Sequence, residues 1–384
     1  MSGLVLLAAG GTGGHLFPAE ALATALRGLG VRVVLATDGR VGEIAKTFPA
    51  ERVVEVPSGT PSGGNILSKG IAALKLGRGV LAALRLVRQI RPDCVVGFGG
   101  YPTVPPVFAA ATLGVPTLIH EQNGVIGRAN RFLLGRVSAV ATGFASVKGI
   151  GESLAGKTYH TGNPIRPAVT QAAAIPFEAP RPGGALRLLV FGGSQGARVM
   201  SETVPKALAL LSPAERARIS LVQQARPEDL AEVRRRYAEA GVSAEVEPFF
   251  KDLPARIAAC HLVVARSGAS TVAELAAIGR PAILVPLPGA IDQDQAANAQ
   301  SLAAIGAATV LPQTEFTPER LAAEIGRRLA DPSLLTAAAA AAKSAGVLDA
   351  AERLAAVVMA LAKLDVPSSP RGRGEVESHG SATG

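Results

Sequence analysis

At 384 residues the chain is longer than one hydrophobic core usually grows, so two domains are expected. Hydrophobic residues at 48% and charged residues at 18% describe a folded globular chain and exclude a disordered one. The net charge of +9 admits an anionic ligand or an anionic membrane. Nucleic acid is excluded, since no basic patch is interleaved with aromatics and no base-reading module is present.

In chain order, residues 4–9 form an apolar run that reads as a strand. It has no basic leader and no cleavage site, and it is too short for a signal peptide or a bilayer span. No later segment is long and apolar enough to span a membrane, so residence in the cytoplasm is expected. The turn Gly10-Gly11-Thr12-Gly13-Gly14 follows, then a helix over 17–29 and a second strand over 32–37. Between Glu55 and Asp93 there is no acidic residue, while Lys69, Lys75, Arg78, Arg85, Arg88 and Arg91 are basic. Ala73, Leu76, Val80, Ala83, Leu84, Val87 and Ile90 add an apolar stripe at helical spacing. This pattern fits a core-facing helix with a solvated basic face, or a surface drawn to anionic lipid.

Residues 94–97 lead into Gly99-Gly100-Tyr101, and 117–120 form a strand ending in a polar loop. Asn163-Pro164 marks a boundary ahead of the proline-rich stretch 176–182. The opening pattern then recurs: an apolar run at 186–191, the turn Gly192-Gly193-Ser194-Gln195-Gly196, and a helix over 197–211. Strands at 262–265 and 282–285 follow, then a last amphipathic helix over 349–364 and a Ser-, Gly-, Pro- and Arg-rich tail, 367–384, expected to be disordered. This alternation predicts two doubly wound parallel sheets. Cys94 and Cys260 stand far apart in apolar runs and read as buried, reduced thiols, with neither a disulfide nor a metal site.

Each glycine turn joins a strand to a helix N-terminus, which suits an anion such as phosphate or a tight connection alone. Neither turn follows GxGxxG or the P-loop, because His15 and Ala197 stand where the latter needs Gly-Lys-Ser/Thr. Dehydrogenase and kinase readings weaken accordingly. His15, at the start of the first helix, suits a general base for a sugar hydroxyl, or a loop-packing role. Arg266-Ser267-Gly268-Ala269-Ser270-Thr271 runs from a strand end into a helix whose first turn carries Glu274. That carboxylate could accept two bonds from a ribose diol, or close a capping box with Thr271.

Seven motifs in register resemble the MurG family: GGTGGH at 10–15, GFGGY at 97–101, HEQN at 120–123, GNPIR at 162–166, GGSQGAR at 192–198, RSGAST at 266–271 and DQDQAANA at 292–299. This family moves N-acetylglucosamine from UDP-N-acetylglucosamine to the 4-hydroxyl of the muramic acid of lipid I, giving lipid II with inversion. The resemblance covers about residue 4 to residue 364 and implies the α/β GT-B architecture, two doubly wound Rossmann-like domains facing a cleft. It implies an acceptor- and membrane-facing domain over 1–163, a UDP-N-acetylglucosamine-binding domain over 164–348, and a helix over 349–366 crossing back. Arg166 and Ser194 would hold the pyrophosphate and Glu274 the ribose. Phe250 would meet the uracil through its backbone, and Ala269, Ser270, Thr271, Val272 and Ala273 would line the same pocket. Gln295, Asn123, Thr12, Gly13 and Gly14 would reach the sugar, with His15 or Glu121 as the base.

No cofactor and no metal are implied, and Asp292-Gln293-Asp294 reads as a helix start. The expected partners are the two substrates, an anionic membrane at the cytoplasmic face, and cell-wall or division machinery. Gln223-Gln224-Ala225-Arg226 departs from the family's His-Gln-Ser/Thr-Gly.

Overall fold

The computed structural model describes residues 3–10, 13–39, 47–59, 66–193, 196–289 and 293–365. Thr12, Ser194, Asp292, the Lys69 and Ala73 side chains and the tail from 367 lie outside the described residues.

The first sheet has strands β1 (Leu4–Ala8), β2 (Arg32–Thr37), β3 (Arg52–Glu55), β4 (Cys94–Gly97), β5 (Thr117–Glu121), β6 (Ala139–Thr142) and β7 (Thr158–His160) in the order β3-β2-β1-β4-β5-β6-β7. The second has β8 (Leu186–Phe191), β9 (Ile219–Gln224), β10 (Ala244–Glu247), β11 (Leu262–Ala265), β12 (Ala282–Leu284) and β13 (Ala308–Val310) in the order β10-β9-β8-β11-β12-β13. Every pairing is parallel: Leu6 stands between Val34 and Val95, and Leu189 between Val222 and Val263. Helices cover both faces of such sheets, so the central strands must be continuously apolar, as LVLLA of β1 is. In each sheet the chain starts in the middle and reverses direction once. The crevice of a doubly wound sheet opens at that switch point, beyond the strand carboxyl ends.

The first sheet carries α1 (Gly13–Gly28), α2 (Ile66–Ile90), α3 (Val104–Thr112) and α4 (Arg128–Leu133). The second carries α5 (Pro167–Ala173), α6 (Arg198–Leu210), α7 (Pro213–Arg216), α8 (Leu230–Glu239), α9 (Leu253–Ala259), α10 (Ala269–Ile278), α11 (Asp294–Ala303), α12 (Pro318–Ala330) and α13 (Ser333–Ser344). The last helix, α14 (Ala350–Ala362), puts Leu354, Val358 and Met359 into the same core as Leu22 and Leu26 of α1. The C-terminal end of the chain thereby completes the core of the first sheet.

Helix α1 begins four residues earlier than its sequence pattern suggested. Its buried stripe starts at Leu16 and continues through Ala19, Leu22, Ala23 and Leu26, and Pro18 lies early in the helix. His15 therefore sits inside the first turn. For helix α2 the structure bears out the core-facing reading of its apolar stripe. Ala83 and Val87 of its apolar stripe are buried, and Leu76, Leu84 and Ile90 pack on the core beneath. That stripe faces inward. A different set faces out: Ile71, Leu74 and Leu81 are 50%, 67% and 56% exposed, among the exposed Lys75, Arg78, Arg85 and Arg88.

Candidate functional site

The carboxyl ends of the two sheets meet, and the motif loops lie along that seam. From the first sheet come the loop after β1, with Gly13 and Gly14 opening α1, and Gly99-Gly100 after β4. Both glycines of that pair have positive φ, 83° and 72°, which side chains resist. A Cβ at either would come within 3.4 Å of the His15 ring, so the pair forms a flat bed for the imidazole. His15 Nδ1 lies 3.2 Å from Gln122 Oε1.

The loop after β5 is held from within. Glu121 is buried, and its carboxylate accepts four hydrogen bonds. Oε1 takes the N–H and Nδ2 of Asn123, and Oε2 takes the N–H of Gly127 and Nδ2 of Asn130. With both oxygens engaged by its own loop, Glu121 organises that loop and is poorly placed to take a substrate proton. This favours His15 between the two candidate bases. Behind them His120 is fully buried, and burial holds its ring down to about 4, so it is neutral at physiological pH.

On the second sheet, Gly192 ends β8 where a Cβ would fall 2.2 Å from the Ala197 nitrogen, so the turn there closes only around glycine. Gln224 Oε1 accepts from the Gly192 N–H at 3.0 Å, and its Nε2 donates to the Pro248 carbonyl. Gln224, the residue of that segment that keeps the family pattern, thus braces the glycine turn from the end of β9. Helix α10 follows β11 with Gly268 at its N-cap and no side-chain cap. Ser270 and Thr271 lie within the first turn and do not cap it; Glu274 lies in the second turn, not the first as its spacing suggested, and forms no capping box. Its first N–H groups lack a side-chain acceptor, and the helix dipole makes that end partly positive.

Glu274 instead accepts from Arg166 at 3.1 Å. Burial raises the Glu274 carboxyl above its ordinary range, and the Arg166 charge offsets only part of that rise. The Arg166 guanidinium also stacks 4.3 Å from the Phe17 ring of α1, two residues beyond His15. Its Nε is buried without a hydrogen-bond partner among the described residues. Phe250, Ala269 and Val272 are buried nearby in the core of this domain, while Ala273 is partly exposed. Gln295 Oε1 accepts from the Leu287 N–H, and the Gln295 carbonyl accepts from Ser267.

Asn298 of α11 ties the two halves together. Its Oδ1 accepts from the Gly124 N–H at 2.8 Å, and its Nδ2 donates to Asn123 Oδ1 and to the Ser267 carbonyl. The sequence reading did not single out Asn298, Gln122, His120 or Asn163 as functional. Each lay inside a quoted motif, and polar residues of a loop between apolar strands were the available signal. Among the described residues no cluster of three or more His, Cys, Asp or Glu is placed to hold a metal ion. A cavity of about 760 Å³, lined by Thr24, Leu29, Ile165, Gln171 and Met359, lies where α1, α5 and α14 meet, and none of the glycine turns lines it.

Residues 5–142 match the glycosyltransferase family 28 N-terminal domain, and 187–354 match the C-terminal domain of that family. The UDP-N-acetylglucosamine–N-acetylmuramyl-(pentapeptide) pyrophosphoryl-undecaprenol N-acetylglucosamine transferase of Methylobacterium sp. (strain 4-46) is 63% identical over 357 residues, 93% of this chain and 96% of that protein. The transferase of the same name from Rhodopseudomonas palustris (strain BisB18) is 55% identical over 369 residues, covering 96% and 98%. Acinetobacter baumannii MurG superposes with a TM-score of 0.76 at 30% identity, over 93% of this chain and 99% of that one. UDP-GlcNAc 2-epimerase from Neisseria meningitidis, at TM-score 0.64 and 12% identity over 94% and 100%, shares the fold alone. The two domains have the GT-B architecture, and the chain belongs to glycosyltransferase family 28, as a member of its MurG group.

Proposed function

We infer that this chain transfers N-acetylglucosamine from UDP-N-acetylglucosamine to the muramyl 4-hydroxyl of lipid I, forming lipid II with inversion at C1. One observation carries the site assignment: Arg166 bridges Glu274 of the second domain and Phe17 of the first, within the same helix start as His15. This proximity supports reading His15 as the base and Arg166 as the pyrophosphate-binding cation of one site.

In this mechanism the acceptor 4-hydroxyl attacks C1 while its proton passes to His15. The bond from C1 to the diphosphate oxygen breaks, and UDP leaves with the electron pair. The partly exposed guanidinium of Arg166 takes the growing negative charge, together with the uncapped N-terminus of α10 and the glycine turn containing Ser194. Glu274 receives the ribose hydroxyls, and the Phe250 backbone and residues 269–273 hold the uracil side. Asn123 and Gln295 meet the sugar along with Gly13 and Gly14; Asn123 then exchanges its contact with Asn298 for a sugar hydroxyl. Incubation with labelled UDP-N-acetylglucosamine should release UDP only when a lipid-linked muramyl acceptor is added. Conversion of the nucleotide sugar alone, as an epimerase would give, sinks this reading.

The outward face of α2 suits a peripheral membrane contact at the cytoplasmic face. Among the described residues no helix is long and apolar enough to cross a membrane. Leu74, Arg78, Leu81, Arg85 and Arg88 recur at helical spacing on one exposed face, which suits apolar insertion between anionic headgroups. The protein should float with anionic liposomes at low salt, and Leu74→Glu with Leu81→Glu should abolish this. Flotation that ignores lipid charge, salt and both substitutions excludes α2 as the contact. Cell-wall or division machinery would meet the enzyme at that same membrane.

A further inference from the structure

We propose that Gln122 and His120 are positioning residues that lock the neutral His15 ring with its proton on Nδ1 and its lone pair on Nε2. This deepens the assignment of His15 as the base and rests on it for its kinetic consequence.

The direction of the hydrogen-bond chain is set at two points by groups that can only accept. His120 Nε2 lies 3.1 Å from the Gly162 carbonyl, so Nε2 carries the hydrogen. Its ring is neutral, because burial depresses its protonation to about 4. His120 Nδ1 is therefore a bare acceptor. Independently, Gln122 Nε2 lies 3.1 Å from the backbone carbonyl of His120, which fixes the amide with its NH2 on that side. The second amide hydrogen meets His120 Nδ1 at 3.1 Å, in agreement with the first anchor. Gln122 Oε1 is left to face His15 Nδ1 at 3.2 Å, and an amide oxygen can only accept. The His15 proton must sit on Nδ1, and a neutral ring then has its lone pair on Nε2.

Two further bonds keep this chain rigid. Asn163 Nδ2 donates to the Gln122 carbonyl at 2.9 Å, and Asn130 Nδ2 donates to that of His120 at 3.2 Å. Gly162 and Asn163 belong to the segment that leads into the second domain, so the tautomer of the base is tied to the interdomain crossing. The Gly99-Gly100 bed fixes the plane of the His15 ring, and Gln122 fixes its hydrogen. The histidine side chain free in water favours the opposite tautomer, with the hydrogen on Nε2, which would present a donor to the incoming hydroxyl. When His15 takes the substrate proton, the imidazolium keeps its Nδ1–H bond to Gln122.

Nitrogen-15 spectra of imidazole-labelled full-length protein read the tautomer directly. The chain has five histidines, and the His15 signals are those absent from His15→Gln. In the wild type, at a pH where the ring is neutral, His15 should show Nδ1 protonated and Nε2 bare. Gln122→Leu should move it toward the Nε2–H form and lower kcat at least about tenfold, with KM for UDP-N-acetylglucosamine changed less than about twofold. Gln122→Glu, as the neutral acid, keeps a carbonyl oxygen facing Nδ1 and a hydroxyl donor toward His120 Nδ1, so it should retain the wild-type tautomer and recover most of the loss. An Nε2–H His15 in the wild type overturns the proposal, as does full turnover in Gln122→Leu. Should Gln122→Leu fail to fold, the wild-type and Gln122→Glu spectra still decide. Turnover by His15→Gln tests the base itself, so failure of that assignment is seen separately from failure of the tautomer lock.

Discussion

His15→Ala is expected to lower kcat by about 10²- to 10⁴-fold, the usual contribution of a positioned general base. That loss corresponds to about 3–5 kcal/mol of transition-state stabilisation. The donor contacts assigned to Arg166, Glu274 and the start of α10 are untouched by the change, so UDP affinity should move less than about twofold. Steady-state kinetics with a lipid I analogue and calorimetric titration of UDP measure the two quantities. A drop in kcat smaller than about threefold would return the base to another group. Glu121 is a poor substitute, because four donors from its own loop already occupy its oxygens.

The second large effect concerns stability. Arg280 is 1% exposed, and among the described residues no carboxylate is a partner of its guanidinium. It donates to the carbonyls of Ala258, Ile278, Gly279, Ile175 and Pro176 and lies 5.4 Å from the Phe177 ring. These carbonyls stand at or just beyond the ends of α9, α10 and α5, where helices leave acceptors unsatisfied and carry partial negative charge. Lys343 of α13 serves the same junction through the Ala173 and Ala277 carbonyls. Arg280→Met should therefore destabilise the second domain by about 3–5 kcal/mol, through several buried acceptors left without donors. Arg280→Lys should recover only part of this, since one ammonium has three donors and no planar fork. Urea unfolding followed on the second domain measures it. A change below about 1 kcal/mol would mean that water or a neighbouring cation replaces the guanidinium.

The central strands were legible because burial on both faces leaves a continuous apolar run. β2, β4, β8 and β11 fall where their residues predicted. The edge and outer strands were harder. RVVE of β3 and TYH of β7 are short and partly exposed, so no apolar run marks them, and pairing with a neighbour makes them strands. The α2 stripe shows a different limit. Helical periodicity reveals that one face is apolar and cannot say whether core or solvent covers it, and here the core does.

The motifs carried the family on their own, since glycine turns, a histidine at a helix start and a carboxylate in the second turn of another helix are local features. The sequence also determined two sheets of parallel strands, because alternating apolar runs and helical patterns have few other ways to bury their faces. Only the tertiary structure decided which polar groups meet. It brought Arg166 between Phe17 and Glu274, engaged Glu121 within its own loop, and aligned Gly162, His120, Gln122 and His15 in one chain. The Arg166–Glu274 bond alone joins residues 108 positions apart, and hydrogen-bond direction depends on ångström-scale placement that no spacing along the chain encodes.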